Sequence, residues 1–462
     1  MALLGALLLV FTIFIRPQEF IPGLASIGLL NIAVGLAVLG IIVEFATGKI
    51  KSWWSPQLPF LAAFLGWCVV CTLIKVGVDP VLDMKTSLGF STIFMFVVMY
   101  AGRTFTSFRG LAVLLVGISI GLSAISIHQG QGEFQCILLE EEEGGGVAHD
   151  QAIGEPDGRS CEDSHQCDKD GLPGREYVCE KAGLFKTFTV AHGRVRWRGT
   201  FADPNELAMA VGAAMSFMFA FHASMRRAWR HLFLVAVLGT VLYCVMLTGS
   251  RGGVLVLLAI LGVYFVRRYG AKGLIAGGFA GLPLLLAGGR SGEDAEASSL
   301  ERLGALYDGV DFFKANPILG LGQGQFVENY FITAHNSYLL SAAELGFPGM
   351  VIWTALVYIS VKIPWTIAFR PTWEMDRRLP AYGLALLTSF CGILIGVFFL
   401  SFCYHAMLFI YFGMAGALYG VAKQSSPSFN VTVKPKELAF LAAFDAMLIV
   451  LLFVYTRIKG NG

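Results

Sequence analysis

Charge is scarce in this chain. Asp, Glu, Lys and Arg make up 14% of its 462 residues, whereas a soluble globular protein carries roughly a quarter. That shortage excludes a soluble globular reading. Its net charge is +2, and the basic residues are scattered through short loops, so a nucleic-acid partner is excluded as well. The start has no basic segment and no A-x-A-like cleavage site, so residues 2–15 read as a first span and not as a signal peptide. Glycine-rich stretches are present, but none has the spacing of a dinucleotide-binding motif or a P-loop, which argues against a nucleotide. There is no internal repeat, and only Asp445 falls near the middle of a span, which disfavours a transporter.

What the chain has is apolar sequence. Hydrophobic residues account for 56% of it, in runs that approach the ~20 residues needed to cross a bilayer. About thirteen such runs are expected to be spans, giving an all-α, polytopic helical bundle of about 12–13 transmembrane helices. Five segments follow: transmembrane helices over 1–127, an insertion over 128–204, helices over 205–288, a polar glycine-rich loop over 289–336, and helices over 337–462. Lys and Arg recur in alternate loops, from Lys49 through Arg103, Arg227, Arg267 and Arg377 to Lys434. By the positive-inside rule those loops are cytoplasmic, and 128–204, 249–253 and 289–336 face outward.

The insertion holds Cys136, Cys161, Cys167 and Cys179. An even cysteine set in a small outward-facing domain predicts two disulfides, with three pairings open. Metal binding competes with this, because Asp168-Lys169-Asp170-Gly171 is a fragment of a calcium loop; the later glutamate is missing. Glu140 to Glu143 read as a solvated face. Cys68, Cys71, Cys244, Cys391 and Cys403 read as packing residues.

Four stretches could carry chemistry. His335-Asn336-Ser337 ends the glycine-rich loop where an apolar run begins, with Asn336 and Ser337 as N-cap candidates. A histidine there can accept a proton, or it can simply cap. Arg198 precedes Asp203-Pro204-Asn205-Glu206, a complete helix-start pattern. Arg251 sits in Gly249-Ser250-Arg251-Gly252-Gly253, where an arginine at the outer membrane edge favours anion binding. Arg302 lies in the 289–336 loop, whose Phe312, Phe313, Ile318 and Phe326 are expected to rest on the membrane surface.

Taken together, Arg198-Gly199-Thr200-Phe201 with Pro204-Asn205-Glu206-Leu207-Ala208, Ser250-Arg251-Gly252-Gly253, Asn316-Pro317-Ile318-Leu319-Gly320-Leu321-Gly322, and His335-Asn336 followed by Glu344-Leu345-Gly346 and Gly349 resemble the O-antigen ligase and polymerase family of bacterial envelope glycosyltransferases. The resemblance covers roughly residues 197–420. It implies a C-type glycosyltransferase fold in the bacterial inner membrane, with its active site facing the periplasm. It also implies transfer of a glycan from an undecaprenyl-diphosphate carrier to a sugar hydroxyl, without metal or other cofactor. The acceptor would be the lipid A core for a ligase, or a second lipid-linked repeat unit for a polymerase, and membrane lipids surround both. Carried over, the resemblance makes His335 catalytic and Arg198, Arg251 and Arg302 the diphosphate binders, with Asn205, Glu206, Asn336 and Glu344 in support. A flippase or a structural membrane protein would be the alternative from another class.

Overall fold

In the computed structural model the described residues are 1–50, 52–139, 153–225, 227–273, 275, 277, 281 and 293–460. The Glu140 to Glu143 run and most of the span expected near 273–288 lie outside them. Among the described residues, ten helices are long and apolar enough to cross a membrane, so this is a multi-pass membrane protein. A shorter apolar helix, Ala2–Ile15, precedes them. The expected span at 253–266 lies inside the helix Arg251–Tyr269.

The chain divides into two compact units. One comprises Met1–Ala6, Val34–Leu111 and Ser291–Gly462; the other comprises Leu7–Ala33 and Ala112–Arg290.

In the first unit the helix Ala406–Ser425 lies against Phe90–Ala101. Gly413 and Gly416 face that helix, a Cβ at Gly413 would sit 2.7 Å from the carbonyl oxygen of Met95, and Gly420 makes room for Arg103 just beyond the helix end. Lipid tails give helices no hydrophobic reason to associate, so small residues spaced this way let backbones approach and gain dispersion contacts instead. Helix Ser337–Phe369 is the longest in the protein's described residues and packs on Leu58–Lys75, Leu379–Gly396, Ala406–Ser425 and Pro435–Gly460. It breaks at Gly346, whose φ of 69° only glycine adopts readily.

The segment 289–336, expected as a loop, is largely helical where it is described. Glu293–Ala315 is a 23-residue helix packed on Ser337–Phe369 and Pro435–Gly460. Nor do its aromatics all rest on a membrane surface. Phe326 is fully buried, edge-on to Phe312 at 5.5 Å, whereas Ile318 is exposed.

The second unit contains the disulfide-held insertion. It carries an antiparallel sheet of β1 (Phe134–Leu139), β2 (Gly154–Ser160) and β3 (Tyr177–Lys181), in the order β2-β1-β3. Disulfides Cys136–Cys167 and Cys161–Cys179 cross-link it, as a core this small requires. The calcium-loop alternative fails on geometry, because Asp168 lies within the short helix Ser164–Lys169. The five remaining cysteines are free, four of them buried.

Candidate active site

In the first unit His335 occupies the mouth of helix Ser337–Phe369, half-buried, with a left-handed φ of 47°. A non-glycine residue there is uncommon and survives only where neighbours hold it. Those neighbours are visible on both sides. Thr333 donates its hydroxyl to Ser401 Oγ at 2.8 Å. Asn336 caps the helix by accepting from the Leu339 N–H at 2.9 Å, and its side-chain amide donates to the Phe398 carbonyl at 3.2 Å. Ser337 donates its hydroxyl to the Leu400 carbonyl at 2.6 Å, and its backbone N–H donates to Val397 O at 2.8 Å. The helix mouth is therefore stitched to the 397–402 connection, and the histidine is fixed between two anchored residues.

The glycine motif has a structural explanation. Glu344 is almost fully buried, and its carboxylate accepts from the N–H groups of Gly324 and Phe326, both at 2.9 Å. Backbone bonds add to this, from Leu321 N–H to Ala343 O, from Gly322 N–H to Glu344 O and from Phe347 N–H to Pro317 O. Loop 317–326 thus pairs with the broken turn of the long helix. Gly320 and Gly346 are where the two backbones meet: a Cβ at Gly320 would overlap Glu344 backbone, and one at Gly346 would overlap Ile318. Two residues not singled out in the sequence complete the cradle. Thr72 Oγ1 accepts from the Gln323 N–H at 2.9 Å. Burial first, and then the neighbouring Glu344, hold the Tyr404 hydroxyl well above its ordinary pKa. The glycines therefore make room for backbone, and Glu344 positions a loop.

Arg302 belongs to the same unit. It lies on helix Glu293–Ala315, half-buried, and not in an open loop.

In the second unit Ser250 caps helix Arg251–Tyr269, its hydroxyl accepting from the Gly253 N–H at 2.8 Å. Gly253 lets that helix approach Ala208 closely. These roles account for the motif apart from Arg251, which is exposed at the first position of the helix, where the dipole favours an anion. Arg194, which no spacing argument had singled out, lies at this turn: its Nε donates to Thr248 O at 2.7 Å, against Gly249. The period-two pattern Arg194-Val195-Arg196-Trp197-Arg198 was the available signal, since it marks an extended segment with its arginines on one side.

Arg198 is enclosed. It is 0% exposed, its NH1 donates to Glu19 O at 3.1 Å, and its guanidinium lies 5.5 Å from the Phe20 ring centre. Arg16, itself paired with Glu19, packs on Gly199. Segments 16–20 and 197–201 are therefore clasped together by arginines. Asp203 caps the next helix, accepting from Asn205 N–H and from the Asn205 side-chain amide at 2.7 Å each, and Glu206 follows in its first turn, half-buried. Asn205 and Glu206 sit where helix-start chemistry puts them.

Comparison with known proteins adds three findings. Residues 236–354 match the family model described as O-Antigen ligase. No curated protein matches the chain. A solved structure reported as "Structural coordination of polymerization and crosslinking by a peptidoglycan synthase complex" is 16% identical, with 80% of this chain and 97% of that one covered and a TM-score of 0.44. Arg251, Arg302, His335, Asn336 and Glu344 lie inside the matched segment, whereas Arg198, Asn205 and Glu206 precede it. Over residues 236–354, this multi-pass membrane protein is similar to the O-antigen ligase family.

Proposed function

We propose that the chain transfers a glycan from an undecaprenyl-diphosphate carrier to a sugar hydroxyl at the periplasmic face of the bacterial inner membrane, as an O-antigen ligase with the lipid A core as acceptor. The observation that carries this reading is His335, held in a strained backbone conformation at an anchored helix mouth within the matched segment. Neutral His335 takes the proton of the acceptor hydroxyl as that oxygen attacks the anomeric carbon. The bond from that carbon to the phosphate oxygen breaks, and the diphosphate leaves with the electron pair. Attack from the face opposite the leaving group inverts the anomeric centre. Arg251 gives the leaving diphosphate a planar, bidentate cation at a helix N-terminus. Arginines do here the charge stabilisation that a metal supplies in other transferases, with Arg302 as a further contact and Arg198 holding the adjoining segments.

The protein in lipid, given a labelled lipid-linked glycan and either lipid A core or a second lipid-linked repeat, tests the proposal. Transfer to core supports the ligase, and transfer to the repeat makes it a polymerase. Passage of the glycan across the bilayer without transfer would make it a flippase.

Arg251→Lys is expected to lower transfer by about 10²–10³, more than a conserved charge suggests, because lysine loses the fork that grips two oxygens at once. Donor affinity and transfer rate should be measured separately. If both are unchanged, the diphosphate binds elsewhere, and Arg194 is the next residue to test.

A further inference from the structure

At the end of helix Ser337–Phe369 opposite its Asn336 cap, a cavity of about 500 Å³ opens between that helix, the 430–434 segment and the start of helix Pro435–Gly460. Lys362, Arg370 and Lys434 line it, with Trp365 and a single lining carboxylate, Glu437. That carboxylate is already engaged: Lys362 Nζ lies 2.5 Å from it, the Tyr358 hydroxyl donates to it at 2.9 Å, and the Lys434 N–H at 2.7 Å. Lys362 also donates to Thr432 O at 2.9 Å, so its ammonium is fixed in the cavity wall. What remains is positive. Arg370 is exposed, with its guanidinium 4.9 Å from the Trp365 ring centre, and Lys434 is exposed across the cavity from it.

Both helices that frame the cavity are membrane spans by length and composition. Trp365 and the 92% exposed Trp373 mark this end as the level of the membrane–water interface, where tryptophan concentrates. Phe369 and Phe440, both exposed, offer apolar surface beside the opening. An anion that fits must therefore present its charge at the interface and carry an apolar body alongside the helices.

We propose that this cavity binds the headgroup of an anionic phospholipid, with the phosphate between Arg370 and Lys434 and the acyl chains along the exposed phenylalanines. Basic pockets between spans recognise anionic headgroups in this way, and a stacked guanidinium is pre-oriented for two phosphate oxygens. The tryptophan and the half-buried Lys362–Glu437 pair give the site a shape that scattered surface cations lack.

The test is retention of phosphatidylglycerol against phosphatidylcholine of the same chain length on the purified full chain, read by native mass spectrometry. One equivalent of phosphatidylglycerol should be retained preferentially, and Arg370→Ala with Lys434→Ala should reduce that retention about tenfold or more. Lys436→Ala, which changes an exposed cation outside the cavity, should leave it intact. Equal retention of the two lipids would overturn the proposal. So would an equal loss in Lys436→Ala, which would reduce the effect to diffuse surface charge. Displacement of the lipid by millimolar inorganic phosphate would also overturn it, because the cavity would then be a free-phosphate site.

Discussion

His335→Gly should lose most glycan transfer while relieving a strain in the backbone. A general base contributes roughly 10²–10⁴ in rate, and glycine has no group to replace it. The backbone relaxes because His335 is held at a φ of 47°, a region that costs an L-residue of order 1–3 kcal/mol and that glycine occupies freely. Glycine's greater freedom in the unfolded chain offsets part of that relief. The Thr333, Asn336 and Ser337 anchors involve neighbouring residues and are left in place. His335→Asn is the companion, since asparagine tolerates left-handed backbone but cannot take the proton. Thermal unfolding and transfer rate, measured on the same preparations, separate the two effects. Near-normal transfer by His335→Gly would sink the base role and leave His335 as a cap-side residue.

Gly346→Ala should have the largest effect on folding. The added methyl overlaps Ile318 backbone, and the residue must also adopt a φ of 69°. With ψ at −178° this backbone lies in a region essentially reserved for glycine that costs other residues about 1–3 kcal/mol, and an unrelieved overlap costs about 1–3, so a loss of roughly 2–6 kcal/mol is expected. Because the partner is backbone, no rotamer change relieves it. The damage should spread to the 317–326 loop, which gains its order by pairing with the broken turn. Limited proteolysis between 320 and 325 and the unfolding temperature in detergent report it. A variant as stable as the parent, with the loop still protected, would show that the two backbones can separate without cost.

The spans were legible because a bilayer demands long apolar runs, and few other structures do. Two caps were legible too: Asn336 and Asp203 each accept from an N–H in the first turn, as their side-chain chemistry predicts. Helix Glu293–Ala315 was hidden because it is polar along much of its length, with Glu293, Asp294, Glu296, Glu301, Asp308 and Asp311, and lies beside a glycine-rich segment that reads as loop. The glycine pattern itself was visible, but its purpose was not. Close approach of two backbones depends on Glu344, some twenty residues further on, folding back, and no local spacing encodes that. Arg198 shows the same limit. No local pattern gives its burial, because the meeting of 16–20 with 197–201 is what encloses it.

Cysteine pairing in the insertion sets a condition on how the chain can be made. In order of synthesis the four residues are Cys136, Cys161, Cys167 and Cys179, and the two bonds interleave: the first joins the third and the second joins the fourth. A chain oxidised as it emerges meets Cys161 first as a partner for Cys136, and then Cys179 for Cys167, so neither bond that forms fastest is native. Reaching the native set requires either that oxidation wait until β3 has paired with β1, or that a wrong bond be attacked by a free thiolate and exchanged. The small sheet is thus tied to cellular machinery that the membrane helices do not need. A compartment with an oxidant but no disulfide isomerase would insert every span correctly and still deliver the protein with its insertion cross-linked in the wrong order.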